Sequence, residues 1–101
     1  MLDIGTEIKD DVLTVTLDGE LNGMTFEEFE EVLESKREEV NAIVIDAAKL
    51  EYVSSAGLRV LMSTQIYMEG AGKEKLKIIN VTDEIDKIIK MCGFDQVIEM
   101  G

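Results

Sequence analysis

The sequence predicts a single α/β domain spanning residues 1–101, with a mixed, mostly parallel sheet of about five strands and three main helices packed against it. Three observations lead to this prediction. Apolar alternation and helical periodicity follow one another in the order strand, strand, helix, strand, helix, strand, helix, strand. The apolar run at residues 42–45 is typical of a strand buried on both faces of a parallel sheet. A chain of 101 residues, 46% of them apolar, is large enough for one hydrophobic core.

Two paired strands are predicted at the start of the chain. Apolar side chains alternate with polar ones over residues 4–8, which is typical of an edge strand. After a polar turn at residues 9–11, the alternation resumes from Val12 to Leu17 and predicts a second strand paired with the first. The glycine-containing segment 18–23 breaks this alternation.

The first helix carries a recognisable start signal. Thr25 followed by Glu28 matches a capping box, and Met24 and Phe29 are spaced as a hydrophobic staple. The helix should end near Glu39, and the face opposite its apolar residues carries glutamates. The residues expected on the buried face are Phe26, Phe29, Val32 and Leu33.

Strands and helices alternate through the second half of the chain. The apolar strand at residues 42–45 ends at Asp46, and a helix is predicted from about Ser55 to Glu69, closed by the small residues 70–72. Residues 76–81 are predicted to form the next strand. Successive strand–helix–strand units require parallel pairing, so most of the sheet should be parallel.

A last helix is predicted after Thr82, which is a suitable capping residue. Gly93 is a natural helix terminator, and residues 96–98 are expected to form a short edge strand. Cys92 is expected to be a small core residue of this helix. The residues predicted on its apolar face are Ile85, Ile88, Ile89 and Cys92.

The charge of the chain bears on its partners. A formal net charge of −12 makes binding to nucleic acid or to an anionic membrane improbable, because both would be repelled. The same charge favours a protein partner with a basic patch. The alternative is that the carboxylates simply keep a small domain soluble.

Composition also excludes several kinds of site. With one cysteine and no histidine, we expect no internal disulfide and no zinc site of the usual kind. We also expect the domain to use no cofactor. No apolar run reaches the roughly 18 residues of a membrane span, and no secretion signal is recognisable at the N-terminus. The chain is therefore expected in the cytoplasm.

The segment from Tyr52 to Met62 is the most informative part of the sequence. It places Ser54, Ser55 and Gly57 where a buried strand is predicted to turn into a helix. The start of a helix has unpaired backbone N–H groups and the positive end of the helix dipole. A serine there can cap the helix, hold an anion or accept a phosphoryl group, and the spacing by itself leaves these three roles open.

Taken together, several segments resemble the STAS domain family, specifically the stand-alone anti-sigma factor antagonists of bacteria. The resemblance covers nearly the whole chain and includes the order of the elements. The segments that carry it are Leu17-Asp18-Gly19-Glu20-Leu21, Ile43 to Asp46, Val53-Ser54-Ser55-Ala56-Gly57-Leu58, Gly70-Ala71-Gly72 and Cys92-Gly93-Phe94.

The resemblance implies a binding module without chemistry of its own. Members of the family bind an anti-sigma factor that is also a serine kinase, and this binding releases the sigma factor. The resemblance further implies that the kinase phosphorylates Ser55 and that the phosphorylated form dissociates from the anti-sigma factor. A phosphatase then removes the phosphoryl group and restores the binding form. The sequence leaves the oligomeric state open between a monomer and a weak dimer. The residues expected to bind the partner are Asn22, Ser54, Ser55, Gly57, Leu58 and Arg59.

Physical roles can be assigned to most of these residues. Ser54 is expected to be the structural cap, with the Ser55 hydroxyl directed outward. Arg59 lies one helical turn beyond Ser55, close enough to pair with a phosphate or with a carboxylate of the partner. Gly57 has no side chain, so another backbone can approach closely. Asn22 is expected to be a turn residue.

Two departures from the family pattern keep an alternative open. An aspartate often precedes the serine pair and another often follows the Gly-x-Leu turn, whereas this chain has Val53 and Asn22 there. Both differences remove negative charge beside Ser55. The alternative is a constitutive STAS scaffold or partner-binding domain that is never phosphorylated. An enzyme or nucleotide binder is the third class, but the sequence has no Walker-type loop and no histidine base.

Overall fold

The computed structural model describes all 101 residues and has one five-stranded sheet whose strands lie in chain order. The strands are β1 (Leu2–Lys9), β2 (Val12–Leu21), β3 (Ala42–Val53), β4 (Lys77–Ile79) and β5 (Glu99–Met100). The helices are α1 (Phe26–Lys36), α2 (Ser55–Gly70) and α3 (Asp83–Met91), with short 3₁₀ helices at Arg37–Glu39 and Phe94–Gln96. β1 is antiparallel to β2 and every other pair is parallel, so the predicted mixed α/β fold is confirmed.

The hairpin between β1 and β2 is closed by a two-residue turn. Lys9 pairs with Val12, and Asp10 and Asp11 between them have φ values of 52° and 68°. Positive φ at both central residues is the geometry of a type I′ turn, whose twist matches that of the two strands. The polar turn predicted here is therefore confirmed.

Strands β2 and β3 are both longer than the sequence predicts. β2 continues to Leu21 instead of stopping at Leu17, and β3 continues to Val53 instead of ending at Asp46. The pairing between them shifts register at two places, between Thr16 and Asp18 and between Gly19 and Glu20. These irregularities absorb the break in alternation, so the two strands remain paired up to Leu21 and Val53.

Only one face of the sheet is covered by helices. Along β3, Ile43, Ile45 and Ala47 are buried while Val44 and Asp46 between them are partly exposed. The expectation of a strand buried on both faces is therefore wrong. The strand order explains this outcome, because crossovers of one hand that always advance in the same direction place every helix on the same side.

The start of α1 differs from the predicted capping box and staple. The Thr25 hydroxyl makes no cap bond to α1; it donates to the Glu20 carbonyl at 2.8 Å and accepts from the Asn22 N–H at 2.9 Å. Met24 is 92% exposed, so it makes no staple with the buried Phe29. The Thr25 hydroxyl therefore closes the loop after β2, through bonds to residues three and five positions earlier in the chain, instead of capping the helix. Of the predicted apolar face, Phe29 is fully buried and Phe26 packs against the core.

The end of the chain is partly as predicted. Thr82 caps α3 by accepting from the Ile85 N–H, as expected. The prediction of Cys92 as a core residue is wrong, because α3 ends one residue earlier and the Cys92 side chain is exposed. The final strand is residues 99–100 rather than 96–98, since Phe94–Gln96 forms a 3₁₀ helix that buries Phe94.

The outer surface of α3 carries one exposed ion pair. The Asp86 carboxylate accepts a hydrogen bond from the Lys90 ammonium at 2.9 Å, and this bond, with the accompanying charge attraction, raises the pKa of Lys90. None of the helices is both long enough and apolar enough to cross a lipid bilayer.

Candidate functional site

The candidate site lies at the carboxyl ends of β2 and β3. Leu21 and Val53 are the last paired residues of these strands, and the Ser54 N–H donates to the Leu21 carbonyl at 2.8 Å. This bond ties the start of α2 to the loop that precedes α1. The carboxyl ends of adjacent parallel strands are a common position for binding sites in α/β proteins, because loops and helix starts meet there.

Ser54 is the N-cap of α2, as the sequence predicts. Its φ and ψ of −91° and 174° are extended, and its hydroxyl accepts from the Gly57 N–H at 3.4 Å. Its carbonyl accepts the first helical bond, from the Leu58 N–H at 2.9 Å. The Ser54 hydroxyl is therefore engaged in holding the helix start.

Replacing Ser54 with alanine should lower the free energy of unfolding by about 0.5–1 kcal/mol, because one helix-start N–H loses its partner. Ser55→Ala is the matched control and should change stability by less than about 0.5 kcal/mol, as expected for an exposed residue. Urea unfolding followed by circular dichroism measures both values. Equal losses in the two variants would contradict the assignment of Ser54 as the cap.

Ser55 is the first residue of α2 and its side chain is exposed. The hydroxyl that bonds to the helix start is that of Ser54, and Ser55 takes part in none of the side-chain hydrogen bonds of the domain. No acidic residue lies in the first turn of α2. The positive end of the helix dipole at Ser55 is therefore not neutralised by a neighbouring carboxylate.

Gly57 faces the core and not the surface. A Cβ at this position would lie 2.6 Å from Leu21 Cγ and 3.0 Å from Val53 Cγ2. The expectation that a partner's backbone approaches Gly57 is therefore wrong, because the close approach is made by the protein's own strands. The absence of a side chain lets α2 begin directly against the ends of β2 and β3.

Beside Ser55 lies a shallow groove of about 340 Å³ between α2 and the residues that follow α3. Leu58 contributes a half-buried side chain to it, whereas Met62 is 38% exposed. Arg59 is also exposed, and the two ion pairs of the domain involve other residues, so its guanidinium has no carboxylate partner. The residues that line the groove are Ser55, Leu58, Arg59, Met62, Cys92 and Phe94. We call this surface the α2 groove.

Sequence reasoning missed half of the α2 groove. Sequence reasoning predicts no binding role for Met62 or Phe94, and it places Cys92 in the core. Cys92 and Phe94 lie more than thirty residues from Ser55 in the sequence, and only the packing of α3 on the sheet brings them close. The one local signal was the glycine at position 93, which ends α3 in a left-handed conformation with φ of 75° and turns Phe94 inward.

The loop before α1 presents an ordered surface near the start of α2. The Asn22 side-chain oxygen accepts from the Met24 N–H at 2.9 Å, which is an Asx turn, so the expected role of Asn22 in the turn is confirmed. The Asn22 carbonyl accepts from the N–H groups of Thr25 and Phe26. These bonds fix a loop from whose surface Met24 projects into solvent.

Val53 has its side chain in the core. It is 3% exposed, and its Cγ2 would lie 3.0 Å from a Cβ placed at Gly57. A side chain at this position therefore points away from the α2 groove.

Nowhere in the chain do three acidic or thiol side chains converge closely enough to hold a metal ion.

Comparisons with known proteins place this geometry in context. The family model described as "Mlab, STAS domain" matches residues 4–99. An anti-sigma-B factor antagonist of Staphylococcus aureus is 29% identical over 101 residues, which cover 99% of this chain and 93% of that protein.

Two solved structures are similar in fold. An anti-sigma factor antagonist from Mycobacterium paratuberculosis superposes with a TM-score of 0.87 at 22% identity, covering 99% of this chain and 85% of the other. The Bacillus cell fate determinant SpoIIAA in its phosphorylated form superposes with a TM-score of 0.77 at 15% identity, covering 98% of this chain and 91% of the other.

Proposed function

Because this chain belongs to the STAS domain family, we propose that it acts as an anti-sigma factor antagonist. In this role it binds an anti-sigma factor in the cytoplasm and thereby frees the sigma factor. The anti-sigma-B factor antagonist of Staphylococcus aureus, which is similar to this chain over nearly the full length of both proteins, supports this role. The observation that carries the proposal is the exposed Ser55 at the start of α2, beside an apolar groove.

The regulatory part of the proposal is that the anti-sigma factor is a serine kinase and that Ser55 is its substrate. A phosphatase that acts on phosphoserine 55 restores the binding form. The solved structure of a phosphorylated SpoIIAA supports the idea that this fold tolerates a phosphoryl group. Ser55 suits this role in the present chain because its hydroxyl is exposed while Ser54 holds the helix.

The start of α2 is suited to hold a phosphate without unfolding. Phosphorylation would add about −1.5 to −2 charges and three acceptor oxygens at Ser55. These oxygens would lie at the positive end of the α2 dipole, where anions are stabilised. Arg59, one turn further along the same face and without a carboxylate partner, is placed to pair with the phosphate.

The α2 groove is suited to an unphosphorylated partner contact. Four of its six lining residues are apolar, namely Leu58, Met62, Cys92 and Phe94. A partner packed over these side chains would also cover Ser55. Covering a phosphate in that contact removes its water, and this desolvation costs several kcal/mol that pairing with Arg59 offsets only in part, which is enough to end a micromolar interaction. Leu58 and Arg59 are therefore the proposed contact residues beside Ser55, with Asn22 and Ser54 at the edge.

A second candidate function is a STAS domain that binds its partner constitutively. One observation favours it: the Asn22 side chain is neutral and occupied by the Asx turn, so this position, where the family often carries an aspartate, presents no charge. Val53 does not bear on the choice, because its side chain is buried and points away from the α2 groove.

Intact-mass measurement separates these two functions. The purified chain is incubated with ATP and a serine-kinase anti-sigma factor recovered with it from native cell extract. We expect the mass of one phosphoryl group to be added, and no addition in Ser55→Ala, because Ser55 is the exposed hydroxyl at the contact surface. Binding without any mass gain would favour the constitutive domain, and modification that persists in Ser55→Ala would contradict the assignment of the site.

A further inference from the structure

Strand β1 is a free edge of the sheet. It is the first strand in the sheet order and pairs only with β2, in an unbroken register from Leu2 with Gly19 to Lys9 with Val12. It has eight residues and contains no proline and no bulge. Ile8 in this strand is 45% exposed. An edge of this kind offers unpaired backbone groups to another strand.

The pairing with β2 determines which backbone groups of β1 are free. In an antiparallel pair, the backbone N–H and carbonyl groups of every second residue bond to the neighbouring strand, and those of the residues in between point away from it. The Glu20 N–H bonds to the Met1 carbonyl, and the two-residue turn is closed at Lys9 and Val12, so the odd-numbered residues of β1 bond to β2. The N–H and carbonyl groups of Ile4, Thr6 and Ile8 therefore point away from the sheet.

The sequence of β1 is complementary to itself when two copies run antiparallel. With Thr6 opposite Thr6 of a second copy, Asp3 lies opposite Lys9 and Ile4 lies opposite Ile8. We propose that two copies of this chain associate through β1 in this register, which joins their sheets into one of ten strands. The pairing uses the outward backbone groups of Ile4, Thr6 and Ile8.

Side-chain placement supports a second copy as the occupant of this edge. Paired residues share a face, so Ile4 and Ile8 lie on the helix-covered side with Leu17 and Leu13, and four isoleucines would meet across the two-fold axis. On the open side, Asp3 lies opposite Asp18 of its own chain, and Lys9 forms no ion pair. The dimer would give each of these charges an opposite partner.

Neighbouring registers are disfavoured by charge. A shift of two residues in one direction places Asp3 opposite Glu7 of the second copy, and a shift in the other direction places Glu7 opposite Glu7. Like charges directly opposite one another destabilise an antiparallel pair. In the proposed register Glu7 lies opposite Gly5, which has no side chain. No residue of β1 lines the α2 groove, so the dimer leaves Ser55 accessible.

Charge-reversal variants test this dimer, with association measured by sedimentation velocity. The buffer contains about 0.15 M salt, because two chains of net charge −12 repel one another and this salt screens their repulsion beyond roughly 8 Å. We expect the wild-type chain to dimerise with rising concentration. Asp3→Lys and Lys9→Glu should each raise the dimer dissociation constant about tenfold, because each creates two like-charge pairs per dimer. An equimolar mixture of the two variants should recover the wild-type affinity, since each of the two cross-strand pairs in the mixed dimer then joins a positive and a negative side chain.

Glu31→Lys on α1 and Lys87→Glu on α3 are the matched controls, because they make the same changes in net charge at exposed positions outside β1. They should leave the dissociation constant within about twofold of wild type. A chain that stays monomeric at millimolar concentration would overturn the proposal. A wild-type dimer that is weakened equally by the controls, or a mixture that fails to recover affinity, would also overturn it, because the contact would then lie elsewhere.

Discussion

Replacing Ser55 with aspartate is expected to weaken the complex with the anti-sigma factor by about a hundredfold or more. The new carboxylate would lie at the edge of the apolar groove that the partner is proposed to cover, and removing its water costs several kcal/mol that pairing with Arg59 offsets only in part. Each 1.4 kcal/mol is a factor of ten in affinity. Isothermal titration of the partner into wild-type and variant chains measures the loss. Circular dichroism should be unchanged, because the cap is made by Ser54.

Two serine variants serve as controls for this prediction. Ser55→Ala removes the hydroxyl without adding charge and should bind within a few-fold of wild type. Ser63→Asp adds the same charge to an exposed serine of α2 that does not line the groove, and it should have little effect. If Ser55→Asp binds as tightly as wild type, or if Ser63→Asp weakens binding equally, the proposed contact surface is wrong.

Replacing Gly57 with alanine is expected to destabilise the domain by about 1–3 kcal/mol. The added methyl group would lie 2.6 Å from Leu21 Cγ and 2.8 Å from Leu21 Cδ2, which is closer than real Cβ contacts. Leu21 is itself fully buried, and the close packing of a protein interior resists its displacement. The start of α2 would therefore shift away from β2 and β3. Urea unfolding measures the loss as a lower midpoint with an unchanged slope.

Gly70, at the other end of α2, provides the matched control. A Cβ there would have no neighbour within 4 Å, and the residue does not have a positive φ. Gly70→Ala should leave stability unchanged or raise it by up to about 1 kcal/mol, because alanine favours the helix more than glycine does. Equal destabilisation by both variants would show that the effect at Gly57 is not one of packing.

Signals within a few residues of each other predicted the elements well. The order of strands and helices follows from hydrophobic period, and the caps Ser54 and Thr82 follow from a hydroxyl placed just before an apolar helix. The same rule failed at Thr25, where the hydroxyl bonds back to Glu20. The difference is that the loop after β2 must be closed against a strand end whose position the local sequence does not reveal.

Properties that depend on distant residues were not predictable in this way. The lengths of β2 and β3 depend on how each strand pairs with the other, and two register shifts keep them paired beyond the break in alternation. A short apolar run cannot show whether one or both faces of a strand are covered. The exposure of Cys92 depends on a helix end that lies within the usual uncertainty of one or two residues.

The candidate site shows the same division. The exposed serine could be located from its spacing and from the family resemblance, because both are properties of one continuous segment. The rest of the α2 groove could not, since Cys92 and Phe94 reach it only through the packing of α3. The sequence correctly predicts that Gly57 allows a close approach because it has no side chain, but the group that approaches it is Leu21 of the same chain.

Because Ser54 caps α2 while the Ser55 hydroxyl is exposed, the proposed switch has a kinetic consequence. The cap bond to the Gly57 N–H is made by Ser54 and not by Ser55, so the proposed phosphorylation of Ser55 would not remove the bond that holds the start of α2. In the proposed switch, the time needed to change state is then set by kinase and phosphatase turnover and by the lifetime of the complex. Refolding of α2 would then add no delay to the proposed switch.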